Sequence, residues 1–158
     1  MDYLVLLDGM PRHGKTHSAA KLGEAGFTNV SLDAEYVAFI QSKYPRLHFP
    51  DLGSFIAPHF NEIVVPGHRP PIAKYQAIMN DWEQWVAEKI AAAATESVVC
   101  EGYLLNPRDY RPPLSCQLHS HFSPKARVRL VTARKVGSDF SLHESGATVS
   151  IDDLVHRR

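Results

Sequence analysis

The sequence predicts an α/β protein, a three-layer sandwich with helices on both sides of a central parallel sheet, and three observations carry that expectation. Tyr3-Leu4-Val5-Leu6-Leu7, Val98-Val99-Cys100 and Val128 to Thr132 are short, mostly apolar runs of the kind that form strands buried on both faces. Segments with helical spacing of their apolar residues lie between them, as the crossovers between parallel strands require. A glycine-containing turn follows the first run and opens the first of those helices. In sheets of this kind ligands bind beyond the carboxyl ends of the strands, so the informative residues are expected at 8–16, Asp33, Glu101 and Arg134.

The elements follow in order. After the first strand, Lys15 to Ala25 reads as a helix with a face of small residues and Leu22, closed by Gly26. Phe27 to Leu32 is a short second strand, and Asp33 is placed to cap a helix from Ala34 to about Lys43. Six prolines break residues 44–72, leaving room for one short helix near 52–63. Ile78, Trp82, Trp85, Val86, Ile90 and Ala93 recur at spacings of three and four along a long helix from Ile72 to Ala94, with both tryptophans expected in the core. A strand from Ser97 to Cys100 delivers Glu101 and Gly102. The segment from Ala147 onward reads as a short strand running into a helix near Asp152. The whole chain, 1–158, is expected to be one domain with a substrate-binding helical insertion at about 44–95.

Composition narrows the classes. Seventeen Lys plus Arg balance seventeen Asp plus Glu, which argues against a protein that coats nucleic acid or a membrane through its overall field. Two cysteines are too few for a disulfide scaffold, and no run approaches the length of a membrane span, so a cytoplasmic protein is expected. Cys116, His119 and His121 lack a fourth ligand at a zinc spacing and read as a surface loop.

Chemistry concentrates at Gly9-Met10-Pro11-Arg12-His13-Gly14-Lys15-Thr16, which fits the phosphate-binding pattern G-x-x-x-x-G-K-[ST] between a buried strand and a helix. In that context backbone N–H groups and the helix N-terminus cradle phosphates, Lys15 reaches the β and γ oxygens, and the Thr16 hydroxyl is a magnesium ligand. Asp33, after the second strand, is the candidate to accept a proton from an attacking hydroxyl, with Glu35 as a fallback. Glu101, at the end of its strand, is the candidate carboxylate to orient magnesium or its water shell, alongside Thr16.

Cations are segregated despite the overall balance. Between 108 and 135, Arg108, Arg111, Lys125, Arg127, Arg129, Arg134 and Lys135 face Asp109 alone, a local excess of +6. Arg134 and Lys135 end a strand and are the candidates for a lid over the phosphates, whereas Arg127 and Arg129 alternate along it as surface residues would. Arg69, Lys74 and Tyr75 lie around the start of the long helix and, with Arg108, form a candidate acceptor surface, through phosphate contacts and base stacking on Tyr75.

The order of these motifs resembles the P-loop kinase superfamily, and more narrowly the 5′-hydroxyl polynucleotide kinase domain of bacteriophage repair enzymes. The likeness lies in the glycine turn, in Gly26-Phe27-Thr28-Asn29-Val30-Ser31-Leu32-Asp33, in Val98 to Arg108 and in Val149-Ser150-Ile151-Asp152. It implies the fold of the P-loop nucleoside triphosphate hydrolases and kinases, ATP with magnesium, and in-line transfer of the γ-phosphate to a hydroxyl with Asp33 as general base. The acceptor it implies is a nucleic acid or a nucleotide, including the hydroxymethylated bases that related phage kinases modify in DNA. Ala34, Glu35 and Tyr36 stand where that family carries an arginine beyond its aspartate, and Ser138 to Ser145 contains no arginine where its lid is arginine-rich. Two alternatives therefore stay open: a kinase of a small metabolite such as a sugar or an antibiotic, and a P-loop NTPase or nucleotide-binding module that is not a kinase.

Overall fold

The computed structural model describes residues 1–10, 12–43, 72–102 and 114–156, with side chains in the third segment from residue 80 onward. The chain is an α/β protein. Its elements are β1 (Tyr3–Gly9), α1 (Lys15–Glu24), β2 (Thr28–Ser31), α2 (Leu32–Lys43), α3 (Ile72–Ala91), β3 (Ser97–Glu101), α4 (Leu114–Phe122), β4 (Arg127–Val136), β5 (Asp139–Glu144), β6 (Ala147–Val149) and α5 (Ile151–His156). Among them no helix is long and apolar enough to cross a membrane.

The six strands form one sheet in the order β2-β3-β1-β4-β5-β6. The first four are parallel, with Leu7 level with Glu101 on one side of β1 and with Val131 on the other. The expectation of a wholly parallel sheet fails at β4. There the chain turns back through Gly137-Ser138 into antiparallel β5, and again through Ser145-Gly146 into antiparallel β6. Both links are two-residue hairpin loops: Gly137 has φ 63°, and Ser145 and Gly146 have φ 51° and 81°. Left-handed residues at these positions are what match a tight loop to the twist of its strands. The predicted strand at 128–132 is thus the inner half of a longer ribbon.

Strand alternation divides the core in two. Leu4, Leu6, Val98 and Cys100 face α2, α3 and α4, where they pack with Tyr36, Phe39, Trp82, Val86, Ile90, Leu114 and Phe122. Tyr3, Val5, Leu7, Val99, Val131 and Leu142 face the other way, against Ala19 and Leu22 of α1 and Leu154 of α5. Helices therefore cover both faces of the sheet. Trp82 is the hinge of the first layer, with Tyr36 and Phe39 each 5.4 Å away between ring centroids. Trp85 donates its indole N–H to Glu35 at 2.9 Å, tying α3 to the first turns of α2.

Three local expectations are corrected. Helix α2 begins at Leu32 rather than Ala34, and its cap is Ser31, whose Oγ accepts from the Ala34 amide at 3.5 Å. Serine caps as well as aspartate, so Asp33 lies inside the first turn with its carboxylate released from that task. Cys116, His119 and His121 lie on helix α4 rather than in a loop, because Leu114, Leu118 and Phe122 supply a buried stripe at spacing four. Cys116 is exposed there, whereas Cys100 is buried in β3, where burial first and then the charges of Glu101 and Glu35 drive its thiol far above the usual range.

The third correction concerns Arg129, which is buried rather than at the surface. Its guanidinium makes a two-pronged pair with Glu144, Nε to Oε2 at 2.8 Å and Nη2 to Oε1 at 2.6 Å. Nη1 donates to the Tyr3 hydroxyl and to the Asp153 carbonyl, each at 3.3 Å, and the Tyr3 hydroxyl donates to the Leu154 carbonyl at 2.8 Å. One side chain therefore fastens β1, β4, β5 and α5 together, and none of its charge is left for a phosphate.

This clamp has a measurable signature. Arg129→Met strands a partly buried carboxylate and should cost about 2–3 kcal/mol in urea unfolding, below the range for fully buried pairs because Glu144 keeps some exposure. The hydrogen bond from Arg129 holds the Glu144 carboxyl below its ordinary range. Its stabilisation is therefore complete above that ordinary range and lost as pH falls through the lowered value. The gap between wild type and Arg129→Met should narrow over that acid interval; a gap independent of pH contradicts the assignment.

Candidate active site

The site is built where β1, β2 and β3 end. At Gly9 the strand passes so close to β4 that a Cβ there would lie 2.7 Å from the Ala133 carbonyl oxygen and 3.2 Å from Lys15 Cγ. Only a residue without a side chain fits, and the chain then turns sharply: the His13 amide donates to the Met10 carbonyl at 3.2 Å, and Arg12 has φ 64°. Gly14, at φ 91°, precedes α1 and offers no side-chain cap, and the first turn of α1 carries no acidic residue. The helix thus begins with its amide groups and its partial positive charge directed at the turn.

Lys15 is only 8% exposed, unusual for a lysine, and its Nζ donates to the Met10 carbonyl at 3.0 Å. Two carboxylates lie within its field. Glu101 is level with Leu7 and Ser31 in the sheet register, and so projects from the face that α1 covers. It is buried and takes a hydrogen bond from the Ser31 hydroxyl. Asp33 approaches from the first turn of α2. Burial pushes the Asp33 carboxyl above its ordinary range, and Lys15 partly opposes this. Burial also pushes Glu101 up, with the charge of Asp33 adding to the rise and Lys15 and Ser31 opposing it. Lys15, Asp33, Glu101 and Ser31 are therefore one electrostatic unit, assembled from four separate elements.

On the other side of the glycine turn a cleft of about 330 Å³ opens between the turn and the end of β4, lined by Asp8, Gly9, Met10, His13 and the stretch from Thr132 to Val136. Arg134 and Lys135 both line it, so the end of β4 is brought to the turn as the sequence suggests. Arg12 and Thr16 are exposed. Glu35 is not part of the unit, since its carboxylate is engaged by Trp85. Pro11, Arg69 and Arg108 lie outside the described residues, as do the side chains of Lys74 and Tyr75, whose backbone belongs to α3. Sequence reasoning missed Ser31, whose signal was its position at the end of a strand before a helix, and the exposed Phe140, whose signal was the Gly137-Ser138 hairpin loop.

Among the described residues no group of three or more His, Cys, Asp or Glu is placed to hold a metal by itself. The donors nonetheless suit magnesium, which is held by one or two carboxylates together with substrate phosphates. Glu101, whose proton affinity is raised by burial and then by the charge of Asp33, is a carboxylate that a divalent cation relieves, and Thr16 supplies a hydroxyl in the first turn of α1. Glu101 and Thr16 are the residues that would hold it, and the ion would supply charge neutralisation for phosphate oxygens.

Neither a family model nor a curated protein matches the sequence. Among solved structures the chain is similar to TT1252 from Thermus thermophilus, at 16% identity and a TM-score of 0.49, over 82% of this chain and 64% of that one.

The raised proton affinity of Glu101 makes a stability prediction. A carboxyl whose pKa is higher folded than unfolded costs stability as pH rises from its ordinary range through the raised value. In metal-free buffer Glu101→Gln should therefore raise Tm at pH 7 by about 2–4 °C, the response of a domain of this size to ~1 kcal/mol. The gain should vanish below about pH 4, where the glutamate is protonated in both states. A loss of Tm at pH 7 contradicts it.

Proposed function

We propose that the chain is a P-loop kinase, an ATP-dependent phosphotransferase that moves the γ-phosphate of ATP to a hydroxyl of a nucleic acid or nucleotide. The observation that carries this reading is the meeting of a buried lysine, at the start of a helix behind a glycine turn, with two carboxylates, the buried Glu101 at the end of β3 and the half-buried Asp33 in the first turn of α2. A phosphate-binding turn alone serves any nucleotide-binding protein. A carboxylate raised in proton affinity within the field of the phosphate-binding lysine is what proton abstraction from an alcohol needs.

In the proposed reaction the acceptor oxygen bonds to the γ-phosphorus, the bond from that phosphorus to the β–γ bridging oxygen breaks, and ADP leaves with that electron pair. The hydroxyl proton passes to the Asp33 carboxylate. Lys15 and the first amides of α1 hold the phosphate oxygens, and Arg134 approaches from β4 to meet their charge. Asp33 suits the base role because Ser31 has taken over the cap. The local cation excess between 108 and 135 favours an anionic acceptor, although Arg129 is committed to its clamp.

The test is transfer of radiolabelled γ-phosphate from ATP to a panel of 5′-hydroxyl oligonucleotides, hydroxymethylated-base DNA, nucleosides and sugars. Lys15→Ala should abolish labelling. Asp33→Asn should leave ATP binding nearly unchanged while lowering turnover about 10²- to 10⁴-fold. Because only ionised Asp33 accepts the proton, the rate should fall as pH drops through its raised pKa, above the ordinary aspartate value of about 3.9. Asp33→Asn should abolish that acid limb. Normal transfer by Asp33→Asn sinks the base assignment, and ATP hydrolysis with no labelled acceptor, indifferent to Asp33, identifies a non-kinase NTPase instead.

A further inference from the structure

Of the four large apolar side chains exposed among the described residues, three gather beside the glycine turn: Met10 at 55%, Val136 at 74% and Phe140 at 57%. Met10 and Val136 line the cleft that also holds Arg134 and Lys135. Phe140 stands opposite Lys135 in the β4–β5 ladder, with the ammonium 5.2 Å from the ring centroid. The ring leans on the turn itself, since a Cβ on Gly14 would lie 2.8 Å from Phe140 Cδ1. Nothing in the packing of the core asks for these exposures, for Leu142 already closes the α1 side of β5.

We infer that the antiparallel β4–β5 hairpin is the nucleobase platform of this protein: Phe140 stacks the base of the nucleotide whose phosphates occupy the glycine turn. This rests on the reading of that turn as a phosphate site. Three observations favour a nucleotide over another occupant. The aromatic ring touches Gly14, the residue that begins the helix cradle, so a ligand anchored there has its remaining part directed at the ring. The apolar rim is interleaved with Arg134 and Lys135, a pairing that suits a flat ring carrying anionic groups and does not suit a purely apolar partner. The cleft, about 330 Å³, lies at the lower end of the ~300–1,000 Å³ range of small-molecule sites. The face that Lys135 covers is held only by the tip of a flexible side chain, which a base can displace toward the phosphates.

Stacking is indifferent to which base is presented, so the platform recognises a base and not a particular one. The experiment is calorimetric titration of the full chain with magnesium complexes of ATP, GTP and inorganic tripolyphosphate. Wild type should bind both nucleotides more tightly than tripolyphosphate. Phe140→Ala should weaken both nucleotides about tenfold while leaving tripolyphosphate within twofold, and Phe140→Trp should restore the nucleotides. Equal losses for all three ligands show a ring that merely props the turn and overturn the platform. So does an unchanged nucleotide affinity in Phe140→Ala, or a wild type that binds tripolyphosphate as tightly as ATP; in both cases the phosphate reading survives. A wild type that binds none of the three overturns the phosphate reading and the platform with it.

Discussion

The enclosure of β1 is the constraint on which the rest of the molecule depends. It is paired on both edges, by β3 and β4, and its side chains from Tyr3 to Leu7 are buried on both faces. A strand so enclosed has to be apolar throughout, and it surrenders its burial only at its carboxyl end. That end is the one place where backbone amides, a helix start and charged side chains can be brought close together while still shielded by a core. Gly9 makes the exit possible by letting the chain slide past the Ala133 carbonyl. Everything proposed for the site follows from where that exit lies.

Charge is then concentrated against the grain of folding. Asp33 and Glu101 share the field of one buried lysine, which opposes a rise in proton affinity that burial causes in both carboxyls and that the charge of Asp33 adds to in Glu101. A protein selected for stability alone would place a neutral pair there. Such local frustration at a strand end, surrounded by two well-packed layers, is the pattern expected of a site that waits for ligand charge. The Arg129 clamp shows the contrasting solution: the same kind of charge, fully matched by a carboxylate, a hydroxyl and a carbonyl, serves structure and has no chemistry left over.

The parallel half of the fold was legible because burial on both faces writes continuous apolar runs, as in β1 and β3, and because α1 and α3 carry clear periodicity. The antiparallel half was not. Arg129 and Arg134 interrupt the apolar pattern of β4 and β5 is too polar to stand out, so of the two added strands only β6, the short strand from Ala147, was legible, and its antiparallel pairing was not. The cap of α2 was misplaced because Ser31 and Asp33 are equivalent in local chemistry; the choice between them is made by the register of β2 with Glu101, which no local pattern contains. For the same reason the glycine turn was readable as a string of residues, while its meeting with Asp33, Glu101 and Phe140 required the sheet order.

The two cysteines occupy opposite chemical worlds. Cys100 immediately precedes Glu101 and lies wholly inside the first core layer, its thiol kept protonated by burial and by neighbouring negative charge. Cys116 is exposed on α4. Thiolate chemistry is confined to groups that can both ionise and meet a reagent, so oxidants and alkylating agents encounter this protein on an outer helix. The strand that carries a candidate metal carboxylate is thereby insulated from redox chemistry, although a sulfur atom sits one residue away.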